Sequence, residues 1–287
     1  MTGTETSGAD AGRSEPRRAL RTDPERLAST HERATSFVRS VVDESGANGV
    51  VVRLRGDVDS TVTAAVAVDA LGADDVHGLV LPCTLGSEAN ARDAEAVADL
   101  LGVDATRVQL HRLLAGFRET VGGELAPAAD TVTTMNVVAR LRMTCAYFLA
   151  NATRRLVVGS TTRTDRLLGD WTKHGDGAAD LLPLGHLFET EVRALAAHLD
   201  VPEFVIEPSA GPDRWGGFAD EPTRDVPAET VDRVLALAIE DGRTVEGTAD
   251  ALGVDAELVE HLAGRHAGTR HKRRRPARPD RNEATSG

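Results

Sequence analysis

Apolar residues first recur at helical spacing in the stretch that follows Asp23-Pro24. Leu27, Ala34, Phe37, Val38, Val41 and Val42 fall on one side of a 3.6-residue repeat. With proline at its first position and Gly46 and Gly49 beyond its last turn, the pattern predicts a helix. "VVVRL" (50–54) is a short β-branched run of the kind that forms a buried parallel strand. A helix over 60–71 follows, then a strand over "VHGLVLP" (76–82), a helix over 88–101 and a strand over "RVQLH" (107–111). A long helical stretch (129–151) leads to a strand within "RRLVVGS" (154–160). This alternation predicts an α/β fold, a doubly wound parallel sheet flanked by helices. A Gly/Asp-rich loop (169–180), a helix (187–199), a Pro/Gly-rich segment (207–227) and two or three short helices to about 266 complete the pattern. Three parts are expected: a disordered tail (1–21), one α/β domain with C-terminal helices (22–266), and a mobile tail (267–287) that is basic and then polar.

Composition narrows the function classes. The net charge is −12, and Lys173 and Lys272 are the only lysines. So acidic a surface repels nucleic acid at long range. Salt adaptation and a GC-rich genome both account for the exchange of lysine for arginine. No run is long and apolar enough for a membrane span, and a cytoplasmic location is expected. Cys83 and Cys145 have no metal-ligand spacing and read as small hydrophobes.

The chemistry concentrates after the first strand. Open α/β sheets bind ligands at the carboxyl ends of their strands, beside the helix N-termini that follow. "RGDVDS" (55–60) stands there. Free backbone N–H groups and the Ser60 hydroxyl suit a phosphate, and Asp59 suits Mg²⁺. A plain helix cap gives the same local pattern.

Further motifs follow in order. They are "NVVARLRM" (136–143), "GSTTRTD" (159–165), "WTKHGDGAADLLPLGHLFETEV" (171–192), "EPSAGPDRWGGFADE" (207–221) and "HKRRRP" (271–276). Together with residues 55–60, which align with SGGxDS, they resemble the ammonia-dependent NAD⁺ synthetases, ATP pyrophosphatases of adenine-nucleotide α-hydrolase-like fold. The resemblance spans roughly residues 30–276.

It implies that ATP adenylates the carboxylate of deamido-NAD⁺ and that free ammonia displaces AMP. It implies ATP and Mg²⁺ as cofactors and a homodimer. Asp59, Ser60, Lys173 and Asp176 are the implied catalytic residues. Arg55, Gly56, Asp57, Asp59, Ser60, Arg140, Ser160 and Ser209 are implied to hold ATP and its phosphates. Trp171, Lys173, Asp176, His271 and Lys272 are implied for deamido-NAD⁺, and Asp59 with Asp165 for the metal.

Three departures fall on the phosphate chemistry. Arg55 replaces Ser, Asp57 replaces Gly, and Glu189 replaces Lys. Asp57 is expected to crowd a position where only glycine gives clearance, and to set a carboxylate beside the phosphates. Like charges 4 Å apart repel by about 4 kcal/mol at an intermediate dielectric. Three readings follow: an active synthetase, an impaired paralogue that keeps the fold and a dinucleotide pocket, and a DNA-binding role for 244–266, which reads as a helix-turn-helix around Gly253.

Overall fold

In the computed structural model the described residues are 20–83, 87–206, 223 and 226–278. Helix α1 (Pro24–Ser45) starts where Asp23 accepts the backbone N–H of Arg26, and it ends on Gly46 in the left-handed region. Strand β1 (Val50–Leu54) and helix α2 (Val58–Leu71) follow, then β2 (Val76–Val80), α3 (Glu88–Leu101) and β3 (Asp104–Arg107). Helix α4 (His111–Phe117) passes through a π-helical segment (Arg118–Gly122) into the turn α5 (Gly123–Leu125). Helix α6 (Thr131–Thr153) leads to β4 (Leu156–Val158) and α7 (Arg163–Leu168).

All strand pairs are parallel, in the order β3-β2-β1-β4. The chain moves from β1 outward to β2 and β3, then returns to β1's other side as β4. The crevice at the carboxyl ends of β1 and β4 is therefore the topological switch point, where such sheets bind ligands.

Alternation along β1 divides the core. Val50, Val52 and Leu54 join the cluster with α1 and α2, whereas Val51 joins the cluster of α6 on the opposite face. Helix α2 is buried nearly all round, and each of its buried valines contributes about 1.5–3 kcal/mol. Phe37, expected on the buried face of α1, is 42% exposed, because Ala34, Val38 and Val42 fill that face.

Strand β3 is the main departure from expectation. The strand expected at 107–111 lies at 104–107, on the exposed sheet edge. Beyond it, Val108 N donates to Val80 O and Leu110 N to Pro82 O, so the chain leaves the regular ladder and Leu110 is buried just before α4.

Helices α8 (Glu189–His198) and α9 (Glu203–Ile206) precede a C-terminal set: α10 (Ala228–Val234), a π-helical segment (Leu235–Glu240), α11 (Val245–Leu252), α12 (Ala256–Gly268) and α13 (Arg270–Arg273). A third cluster, including Leu168, Phe188, Val234, Leu235 and Leu262, ties this set to α7 and α8.

Arg21 N already donates to Glu191 Oε1 (2.9 Å), and residues 270–273, expected to be mobile, form a helical turn packed on the domain.

Candidate functional site

The turn between β1 and α2 is held by two side chains. Asp57 is the N-cap of α2: its Oδ1 accepts Ser60 N (3.0 Å) and Ser60 Oγ (2.5 Å). Ser60 Oγ in turn accepts Arg55 N (3.1 Å). Gly56 has φ +74°, and a Cβ there would lie 2.4 Å from Asn90 O. Glycine is therefore required at 56 by α3 itself. Asp57, however, has φ −116° and ψ 167°, which any residue adopts. Backbone geometry therefore tolerates the aspartate at 57 and uses it as a cap.

The charges in this turn face one another. Arg55 Nε lies 2.6 Å from Asp57 Oδ2, and Arg55 Nη2 lies 3.6 Å from Asp59 Oδ2. Burial pushes the Asp59 carboxyl well above the usual carboxylate range, and Glu189, Asp57 and Asp165 add to the push. Burial also raises Asp165, to about 7. Asp59 Oδ1 is buried without a hydrogen-bond partner. Asp165 closes a capping box with Thr162: its Oδ2 accepts Thr162 N (2.8 Å), while its own N–H donates to Thr162 Oγ1 (3.2 Å). Glu189 is buried and faces Arg193, whose Nε is 3.0 Å from Glu189 Oε1.

Among the described residues no three carboxylate, His or Cys side chains converge in a cage that could hold a metal alone. That donor set still fits Mg²⁺, which keeps several waters and binds through one or two carboxylates plus phosphate oxygens. The orphaned Asp59 oxygen supplies one such position.

Behind the turn lies a residue the sequence reading passed over. Arg53, next to the carboxyl end of β1, points to the α6 face, and its Nη2 lies 2.5 Å from Asp176 Oδ1. Burial alone would raise the Asp176 carboxyl, but Arg53 beside it carries it below the usual range. Arg142 from α6 donates to Leu81 O (3.1 Å), and burial, then Arg53, lowers it to about 10. Arg53, Arg55 and Arg142 together border two adjoining cavities. One, of about 30 Å³, reaches Ser160; the other, of about 180 Å³, reaches Asp57 and the start of α3.

The remaining candidates gather at a second centre. Lys173 Nζ donates to His271 O (2.9 Å), and Lys272 Nζ donates to Gly169 O (2.6 Å) and Trp171 O (2.8 Å). The six-membered ring of Trp171 lies against Gly177, where a Cβ would come within 1.9 Å of it. A cavity of about 450 Å³ opens beside Asp170, His261, Arg265 and Lys272. The Gly175-Asp176-Gly177 turn joins the two centres, with Asp176 bound to Arg53 and Gly177 under Trp171.

Two expectations fare differently. Arg140, expected at ATP, borders neither cavity of the phosphate crevice and donates to Asn136 O and Lys173 O. Ser209 lies outside the described residues. The helix pair at 244–266 exists as α11 and α12, with Gly253 in the left-handed region between them. Of the cations beside it, Arg265 pairs with Asp170 (3.4 Å), and Arg273 donates to the carbonyls of Arg166 and Leu167.

Comparison with known proteins bears on the whole arrangement. The sequence pattern of the NAD synthase family matches residues 30–276. The NH(3)-dependent NAD(+) synthetase of Methanosarcina mazei is 37% identical over 257 residues, covering 88% of this chain and 98% of that protein. The structure of an NMN synthetase from Francisella tularensis superposes with a TM-score of 0.74 at 26% identity, over 88% of this chain and 98% of that one. An NH3-dependent NAD synthetase from Campylobacter jejuni, in complex with the nitrate ion, gives 0.73 at 25% identity, over 88% and 99%.

Proposed function

Because the chain belongs to the NAD synthase family, we propose that it is an ammonia-dependent NAD⁺ synthetase, an ATP-dependent carbon–nitrogen ligase. The observation that carries the reading is the intact turn at the carboxyl end of β1. Gly56, the Ser60 hydroxyl and the start of α2 keep the form of a phosphate loop although two of its side chains have changed.

The reaction follows from the substrates. A carboxylate oxygen of deamido-NAD⁺ attacks the α-phosphorus of ATP, and pyrophosphate leaves. Ammonia then attacks the acyl carbon of the mixed anhydride, AMP departs, and the surplus proton passes to solvent. The backbone N–H groups at the start of α2 would meet the phosphate chain, while Ser60, fully buried and bonded to Asp57 and to Arg55 N, would hold the turn that presents them. Asp59 and Asp165 would hold Mg²⁺, which when bound neutralises phosphate charge. Trp171, Lys173, His271 and Lys272 would orient the dinucleotide beside the cavity of about 450 Å³.

Leu113, Leu125, Val132, Met135 and Phe148 are large exposed apolar side chains between α4 and the end of α6. They support a homodimer formed through that region. Free Cys83 and Cys145 accord with a reducing cytoplasm.

The test is release of AMP and pyrophosphate from ATP, ammonia and deamido-NAD⁺ at several salt concentrations, with nicotinate mononucleotide run in parallel. Turnover of the dinucleotide is expected. No turnover with either substrate would leave the impaired-paralogue reading in its place.

A further inference from the structure

An arginine inside a buried parallel strand, one residue from its carboxyl end, needs a reason, because an unpaired charge there is costly. Arg53 is such a residue. Register pairs it with Leu79 on β2, and alternation puts it on the same face as buried Val51. Its side chain is only 14% exposed. Asp176 satisfies one end of the guanidinium, but Nη1 is buried without a hydrogen-bond partner.

Two more guanidiniums border the same crevice. Arg55 and Arg142 share both cavities with Arg53, and the carboxylates bordering them are Asp57 and Asp176. Three guanidiniums meet these two carboxylates, with Asp59 3.6 Å from Arg55, and one buried donor of Arg53 stays unfilled. Arg53 also weakens Arg142's hold on its proton, as expected of like charges pressed together out of water. The larger cavity, at about 180 Å³, exceeds the share of a single water, about 30 Å³. It lies at the carboxyl ends of β1 and β2, beside the start of α2, and adjoins the smaller cavity, which reaches the end of β4 at the switch point.

We propose that Arg53 is a phosphate-binding residue that, with Arg55 and Arg142, grips the pyrophosphate portion of ATP, and that Asp176 holds its guanidinium in place until the nucleotide arrives. The proposal rests on the ligase reading above and adds residues to it. Guanidinium groups bind phosphate oxygens in paired, charge-assisted hydrogen bonds, so a clamp of three suits a polyphosphate better than a single carboxylate. It also offsets the negative charge that Glu189 and Asp57 bring to the loop. Nucleotide binding would free Asp176 from Arg53, making the carboxylate of the Gly-Asp-Gly turn available to the second substrate.

The deciding experiment is calorimetric titration of inorganic pyrophosphate, with Mg²⁺, into the wild-type chain and into R53M, R53Q, R53K and D176N. R53M and R53Q are expected to weaken binding by about tenfold or more, with partial recovery in R53K. R53Q keeps a hydrogen-bonding group facing Asp176 and stands in if R53M fails to fold. D176N removes the competing anion and is expected to bind pyrophosphate as tightly as wild type or more tightly. Were Arg53 only a structural partner of Asp176, D176N and R53M would weaken binding alike, and that result overturns the proposal. So does unchanged binding in R53M and R53Q, or a wild-type chain that binds no pyrophosphate. Arg53-dependent binding in a protein that never amidates deamido-NAD⁺ would sustain the clamp and remove the ligase reading. Turnover with Arg53-independent binding would do the reverse.

Discussion

Lys173 and Lys272 cross-brace one junction: Lys173 reaches the His271 carbonyl, and Lys272 reaches back to the carbonyls of Gly169 and Trp171. They are the only lysines of the chain. A compact ammonium with three rotatable donors can satisfy two carbonyls from one point, which a planar guanidinium does less readily. Arginine elsewhere supplies forked pairing; lysine is kept where a point charge closes a loop.

Removing either brace loosens the substrate side of the site. Lys272→Met is expected to cost about 1–3 kcal/mol, because two carbonyls lose a charged donor in a half-buried place. Lys173→Met costs less, since its contact is exposed. Both raise KM for deamido-NAD⁺ more than they lower kcat. The double variant loses less than the sum, because the two bonds share a junction. Urea denaturation and initial rates for the four-member cycle measure this; strict additivity would show that the braces act independently.

Gly56→Ala tests the turn itself. Alanine at φ +74° costs about 1–2 kcal/mol, and its methyl would meet Asn90 O at 2.4 Å. A loss of at least about 2 kcal/mol is expected, with turnover falling sharply as α3 is pushed from the loop. A variant as stable as wild type would mean that the turn has another conformation available.

At Asp57, stability and binding part company. Asp57→Ala removes the α2 cap and costs about 1 kcal/mol, whereas Asp57→Gly costs a few tenths. Both release Arg55 from its 2.6 Å partner and subtract a carboxylate from the phosphate crevice. KM for ATP is therefore expected to fall severalfold in both. A rise in KM would show that the aspartate assists the nucleotide.

Asp232 gives a pH signature away from the loop. It is fully buried and accepts from Thr164 Oγ1 (2.6 Å), Thr190 N (2.8 Å) and Thr190 Oγ1 (2.6 Å), yet burial still raises its carboxyl to about 6. Its folded value lies above its unfolded one, so protonation favours folding. That contribution is complete below about pH 4 and is lost as pH climbs through about 6. His186, lowered by burial to about 4, acts in the opposite sense over part of this range. Comparison with Asp232→Asn isolates the carboxyl: the wild type's stability advantage should shrink by about 2 kcal/mol between pH 4 and pH 7.5. Denaturation midpoints that keep a constant gap would exclude the linkage.

Much of the scaffold could be read from patterning, for identifiable reasons. Helix α1 carries its own punctuation in Asp23, Pro24 and Gly46. Helix α3 matches its expected range, 88–101, because Gly102 stops it in the left-handed region. Strand β3 was misplaced because an exposed edge needs no apolar alternation, and Val108 and Leu110 imitate one just beyond it. At residue 57 the family alignment supplied a glycine's role, while Asp three residues before Ser60 already spelled a helix cap. Arg53 was overlooked although the signal was present: alternation sets it on a buried face, where a charge must find a partner. That partner, Asp176, lies 123 residues away, and only folding brings the two together.

The cross-braced junction has a consequence for the order of assembly. The four strands of the described sheet are complete by Val158, but the loop at 169–173 is latched by residues 271–272, far later in the chain. During synthesis, then, a nascent protein can pair its sheet and shape the nucleotide end while the pocket for the second substrate is still unlatched. Competence arrives in a single late step, and a polypeptide halted before His271 would possess the scaffold without the clasp.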